Sequence, residues 1–178
     1  MKEVINFESS AHEEIVQNTK YFVDFLDDLI NKDKEHAFTF ATLALHLAIQ
    51  AALVRVLKSF GDDLVFNNYR SRSRSRHIHD FLQLVTTTRK LARKDKLKGI
   101  SGNTEVARKM QELNKLRNKL THFHPGNTAI STIEIIKFLF PFCVDWLESL
   151  AKLDHVLSDE ENKEFNLYLE KFRKLVVD

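Results

Sequence analysis

From Ala37 to Val54 the chain carries no formal charge, and its apolar residues leave no continuous polar face. Such a segment has to be surrounded, either by other helices or by lipid. Thr39, Thr42, His46 and Gln50 interrupt it with groups that need hydrogen-bond partners, which favours a buried core helix over a membrane span. The helix is expected from about His36 to Phe60, stopped by Gly61, with Arg55 and Lys58 suiting the negative end of its dipole. Other helices must then cover it. With 4 glycines, 2 prolines and a 43% hydrophobic share in 178 residues, the composition argues against a turn-rich sheet protein and against disorder. The expected class is all-α: an up-and-down helical bundle of about five to six helices. That bundle forms a single domain over 1–178, with its core at about 10–155.

Capping signals place the remaining helices. Ser10 with Glu13 in capping-box spacing opens a first helix that buries Ile15, Thr19, Phe22, Leu26 and Leu29 and ends near Asn31. Residues 61–75 read as a linker, a third helix runs from about His77 through Arg93, and Gly99 to Asn103 break the chain. A fourth helix spans about Thr104 to Thr121, ended by His124-Pro125-Gly126. Ser131 and Glu134 look like the capping box of a fifth helix, about Thr132 to His155, which Pro141 should kink. Ser158 and Glu161 repeat the signal for a C-terminal helix at about 158–176, where Phe165, Leu169, Phe172 and Val176 recur at helical spacing.

Charge is balanced, with a net of +2 although 29% of residues are charged, so any nucleic-acid surface must be local. The linker ends in such a surface: Arg70, Arg72, Arg74 and Arg76 alternate with serines. Four cations at that density can clamp a phosphate backbone and make binding salt-dependent; a solvated loop is the plainer reading. Arg89, Lys90, Arg93, Lys94, Lys96 and Lys98 extend the basic character along the third helix. A lone Cys143 excludes an intramolecular disulfide framework, and no charged-then-apolar leader precedes the first helix, so a reducing, cytoplasmic setting without membrane contact is expected. His77 and His79, two apart, make a poor metal pair, and His122 with His124 lack a cysteine or acidic partner at ligand spacing. No metal and no cofactor are expected. Cys143 reads as a small buried hydrophobe, and Phe138, Phe140, Phe142 and Trp146 as core or dimer packing.

The end of the fourth helix carries the chemistry. Its apolar stripe reads Val106, Met110, Leu113 and then Leu120, and the place missing from the series is taken by Arg117. A guanidinium cannot shed its charge and is costly to bury unpaired, so the stripe should face a polar cleft, a partner surface or an anion there. Asn118 and His122, four apart, share a helix face, with Arg117 rotated by one residue to the side. Arginine grips a phosphate oxygen through forked donors, and histidine moves a proton near neutral pH. In RNA the 2′-hydroxyl already lies beside the phosphorus, so a base, a cation and a proton donor suffice for cleavage to a 2′,3′-cyclic phosphate and a 5′-hydroxyl. Helix-end placement favours protonated His122, suited to donate to the leaving oxygen. On composition alone, a C-capping histidine and a structural ion pair explain the same residues.

The order Arg117-Asn118, three residues, His122, flanked by Leu116, Leu120 and Phe123 in an all-helical chain, resembles the HEPN superfamily. Its mark is an arginine followed after four to six residues by a histidine, often with asparagine directly after the arginine. The resemblance extends over about residues 10–155 and implies a metal-independent endoribonuclease of the kind found in toxin–antitoxin, abortive-infection and CRISPR-linked defence systems. Arg117 and His122 would then be catalytic and Asn118 would position them. It further implies RNA as substrate and a homodimer whose motifs face each other across a twofold axis, with a cognate antitoxin or defence partner. An additional polar residue on an earlier helix is expected, with Gln50, His46 and Asp80 as candidates. The alternative is a non-catalytic HEPN-like module that binds nucleotide, RNA or a protein partner.

Overall fold

A computed structural model describes residues 7–32, 34, 36–67, 77–121 and 132–177. Helices α1 (Phe7–Lys32) and α2 (His36–Lys58) are followed by a 3-10 turn (Asp62–Leu64) and a two-residue antiparallel pair, β1 (Phe66–Asn67) with β2 (His77–Ile78). Next come α3 (Phe81–Arg93), α4 (Thr104–Thr121), the single turn α5 (Thr132–Glu134), a π turn (Ile135–Leu139), α6 (Phe140–Ala151) and α7 (Asp159–Val177). The class is all-α. With α5, the π turn and α6 counted as one continuous run, six helices make up the described chain.

The uncharged segment is the centre of the molecule. Helix α2 packs against α1, α3, α4 and α6, and Leu45, Ile49, Leu53 and Leu57 are fully buried among them. Each such side chain contributes about 1.5–3 kcal/mol by leaving water. Long and apolar enough to cross a membrane by length and composition, α2 has 67% of its most apolar window buried inside the bundle. Its buried threonine is accommodated locally: Thr42 Oγ1 donates to the Phe38 carbonyl at 2.9 Å, as Thr19 Oγ1 does to Ile15 in α1 at 2.8 Å. Helix α7 closes the other side of α1 through Phe165, Leu169 and Phe172. Phe22 of α1 meets Phe140 edge-on at 5.3 Å and Phe172 at 5.4 Å, tying α1, α6 and α7 at one point.

Several boundaries depart from the sequence-based expectation. Helix α1 starts at Phe7, so Ser10 and Glu13 lie within it and do not cap it. Helix α3 starts at Phe81 and not near His77: His77 and Ile78 are spent on pairing with Asn67 and Phe66, and Asp80 takes the cap position, its Oδ1 accepting from Gln83 N at 2.9 Å. The fifth helix ends at Ala151 and not His155, which stands at φ +68°. Pro141, expected to kink this helix, follows a widened turn. Its ring cannot donate to the carbonyl four residues back, and the turn before it widens, with Phe140 N–H donating to the Ile135 carbonyl five residues back. Helix α4 spans the expected residues, with Asn103 Oδ1 accepting from Val106 N at 3.0 Å. The Ser158–Glu161 box caps α7, Ser158 N–H donating to Glu161 Oε2 at 2.7 Å.

The connection between α3 and α4 is pinned from α3. Arg89 Nε donates to the Asn103 carbonyl at 2.9 Å and Arg93 Nε to the Gly102 carbonyl at 2.7 Å. These two members of the basic series therefore serve the fold. Gly102 permits the approach: a Cβ there would stand 2.8 Å from the Arg89 carbonyl oxygen and 3.1 Å from Arg93 Cγ. Lys90, Lys94, Lys96 and Lys98 remain exposed. Cys143 is fully buried in the core, its thiol pushed up by desolvation. Phe140 and Trp146 are core residues, whereas Phe138 is 67% exposed and does not belong to the core.

Candidate functional site

Arg117 and Asn118 lie in the last full turn of α4, which Thr121 tightens by donating its hydroxyl to the Arg117 carbonyl at 2.9 Å. The buried ridge of α4 consists of Val106, Met110, Leu113 and Leu116, with Leu120 partly buried beyond it. Position 117 is therefore not a fully buried place in the stripe. Leu116 is the buried residue of that turn, and Arg117 stands half-buried beside it. Its Nη1 donates to Asn118 Oδ1 at 2.8 Å. Adjacent residues on a helix point about 100° apart, so this bond exists because the arginine is long enough to fold back, and it fixes the guanidinium against the amide.

Across from this edge is α2. His46, 2% exposed, stacks on the ring of Phe81 with centroids 4.1 Å apart, and its Nε2 donates to Asn114 Oδ1 at 3.2 Å. Asn114 is four residues before Asn118, so both amides share one face of α4. Desolvation pulls the imidazole down to about 4. The Asn114 bond opposes this and the nearby Arg117 charge adds to it, so His46 is neutral at physiological pH. With Nε2 carrying the proton, Nδ1 is a buried acceptor with no partner among the described residues. The arrangement is a dry, uncharged floor of imidazole and amide beside a cation.

Of the three positions weighed for an extra polar residue, His46 is the one bonded to α4. Asp80 is engaged in capping α3, and Gln50 stands half-buried one turn further along α2. Asn114 was not singled out from the sequence. Its signal was the four-residue spacing to Asn118 on the polar edge of the stripe. His122 lies outside the described residues, as do Arg70, Arg72, Arg74 and Arg76, His124 and the Ser131 cap. The β1–β2 pair sets Asn67 opposite His77, and Ile78 is three residues from Phe81, whose ring packs on His46.

The electrostatics of the edge are unbalanced. Glu105, Glu112, Arg108 and Lys109 of α4 pair among themselves, Arg108 Nη1 reaching Glu112 Oε1 at 2.7 Å. Arg117 has no carboxylate partner among the described residues. Among those residues no group of three histidine, cysteine or acidic side chains is placed to hold a metal ion. No family model matches the chain, nor does any curated protein or solved structure.

Proposed function

We propose that this chain is a metal-independent endoribonuclease of the HEPN type, working in the cytoplasm as a toxin or antiphage defence effector. The observation that carries the reading is Arg117: half-buried, held by Asn118, set over neutral His46 and unpaired with any described carboxylate. A structural ion pair would have supplied that carboxylate. Without one, the cost of partly burying a guanidinium is offset best by an anion from outside, and the flat fork suits the two non-bridging oxygens of a phosphodiester.

In this reading Arg117 grips the scissile phosphate and steadies the charge that builds on the crowded phosphorus. Asn118, through its carbonyl oxygen, keeps the guanidinium turned toward the phosphate. His122, four residues beyond Asn118 in sequence, moves the proton, taking it from the attacking 2′-hydroxyl and giving it to the departing 5′-oxygen. His46 and Asn114 form the floor; an uncharged imidazole there does not compete with the substrate's phosphate for Arg117. A second copy faces the first across a twofold axis, so that two motifs share one cleft. Arg70, Arg72, Arg74 and Arg76 extend the grip along the RNA backbone. A cognate antitoxin or defence partner holds the activity in check.

The test is cleavage of a mixed RNA pool by purified protein in excess EDTA, beside His122→Ala, with product ends mapped. Cleavage by the wild type alone, leaving 2′,3′-cyclic phosphate ends, is the expected result. RNA bound without cleavage by a folded wild-type protein would make the chain a non-catalytic HEPN-like binding module.

A further inference from the structure

The other flank of α4 carries a second feature, separate from the Arg117 edge and independent of the ribonuclease reading. Between α4 and the α5–π segment runs a groove of about 560 Å³. Its floor is apolar: Leu116, Ile135, Phe138 and Leu139. The widened turn before Pro141 forms this side, and it leaves Phe138 67% exposed. A large apolar side chain held open to water over an apolar groove floor is the mark of a surface that is covered in use.

Charge identifies what covers it. Lys109 is spent on Glu112 at 3.2 Å, and Glu112 is further neutralised by Arg108. Lys115 and Lys119 are exposed on the rim and have no carboxylate partner among the described residues. Four residues apart on α4, they stand about 6 Å from each other, the spacing of two acidic side chains on successive turns of a facing helix. A phosphate backbone fits less well, because the apolar floor offers it nothing. Along α4 the lining runs from Lys109 to Lys119, about 15 Å, or three turns of a bound helix.

We infer that this groove is a docking site for an acidic amphipathic helix of a partner protein, whose apolar side chains cover Phe138 and the floor while its carboxylates meet Lys115 and Lys119. The mode is helix-in-groove recognition, with Phe138 as the central apolar contact and the lysine pair setting orientation and register.

The experiment uses a display library of helical peptides, each about 15 residues and so roughly 22 Å long, selected against the whole chain. Selected peptides are titrated by fluorescence anisotropy into wild type, Phe138→Asp, and Lys115→Glu with Lys119→Glu. Recovered binders should be amphipathic and acidic. Each variant should weaken them by about tenfold or more, and exchanging glutamate for lysine in the peptide should restore binding to the doubly reversed protein. Since the substituted side chains are exposed, helical circular dichroism should be unchanged; Lys115→Gln with Lys119→Gln gives a milder second variant should the reversal unfold the chain. Failure to recover binders, binders indifferent to all these substitutions, or displacement by a single-stranded RNA of similar length would overturn the proposal.

Discussion

The two flanks of α4 treat polar groups in opposite ways. Toward α2, His46 is taken out of water and bonded to half-buried Asn114, and Arg117 is held half-buried against Asn118. Toward the π turn, Lys115 and Lys119 stay in water above an apolar floor, with Phe138 exposed. One ridge, from Val106 to Leu116, separates them. The difference teaches that a helix can present a preorganised polar edge and an adaptable open groove at once, provided the ridge between is fully packed. Removing one partner on the dry side strands a polar group in a low-dielectric interior; removing one on the wet side leaves water to replace it.

The largest stability effect should come from the ridge. Leu113→Ala removes a side chain that is 0% exposed and should cost about 2–5 kcal/mol, measured by chemical denaturation, with both flanks affected together. Next is the pH response of the dry flank. His46 lies near 4 in the folded chain against an ordinary 6.5 when unfolded, so the unfolded chain takes up its proton first as pH falls. Stability from this group is complete above about pH 6.5 and is lost between there and pH 4, by up to roughly 3 kcal/mol. Melting temperature should therefore decline across that window in wild type, and His46→Gln should flatten the decline.

A smaller change sharpens the contrast. Asn114→Ala deprives buried His46 of its acceptor and should cost about 1–3 kcal/mol. Phe138→Asp, at a residue 67% exposed, should shift stability by no more than about 0.5 kcal/mol. If denaturation curves gave these two variants equal losses, the distinction between a dry edge and a wet groove would not hold.

Local signals made some of this legible in the sequence. Helix α4 starts where expected because the Gly99–Asn103 break and a four-and-three stripe agree, and α7 because its Ser158–Glu161 box forms. Helix α2 announced itself by the absence of charge. What stayed hidden depended on competition or distance. Asp80 and Gln83 offered a cap that outbid the earlier start at His77 once His77 and Ile78 found strand partners, a pairing across a long connection. Pro141 signalled a disturbance but not its form: whether a helix bends or widens depends on what packs around it, and here Phe140 and Cys143 sit fully buried beside the π turn. At the site, the sequence marked Arg117 and Asn118 but overstated the burial of Arg117, since stripe counting does not see that Leu116 has turned inward at the helix end. The His46–Asn114 bond joins residues 68 apart and could only be found in three dimensions.

RNA cleavage in excess EDTA by Arg117→Ala and Phe138→Asp, one variant from each flank, measured beside wild type, tests the central claim most directly. The account predicts cleavage by wild type and Phe138→Asp at similar rates, and its loss in a folded Arg117→Ala protein. Cleavage that survives Arg117→Ala, or none from folded wild type, would contradict it.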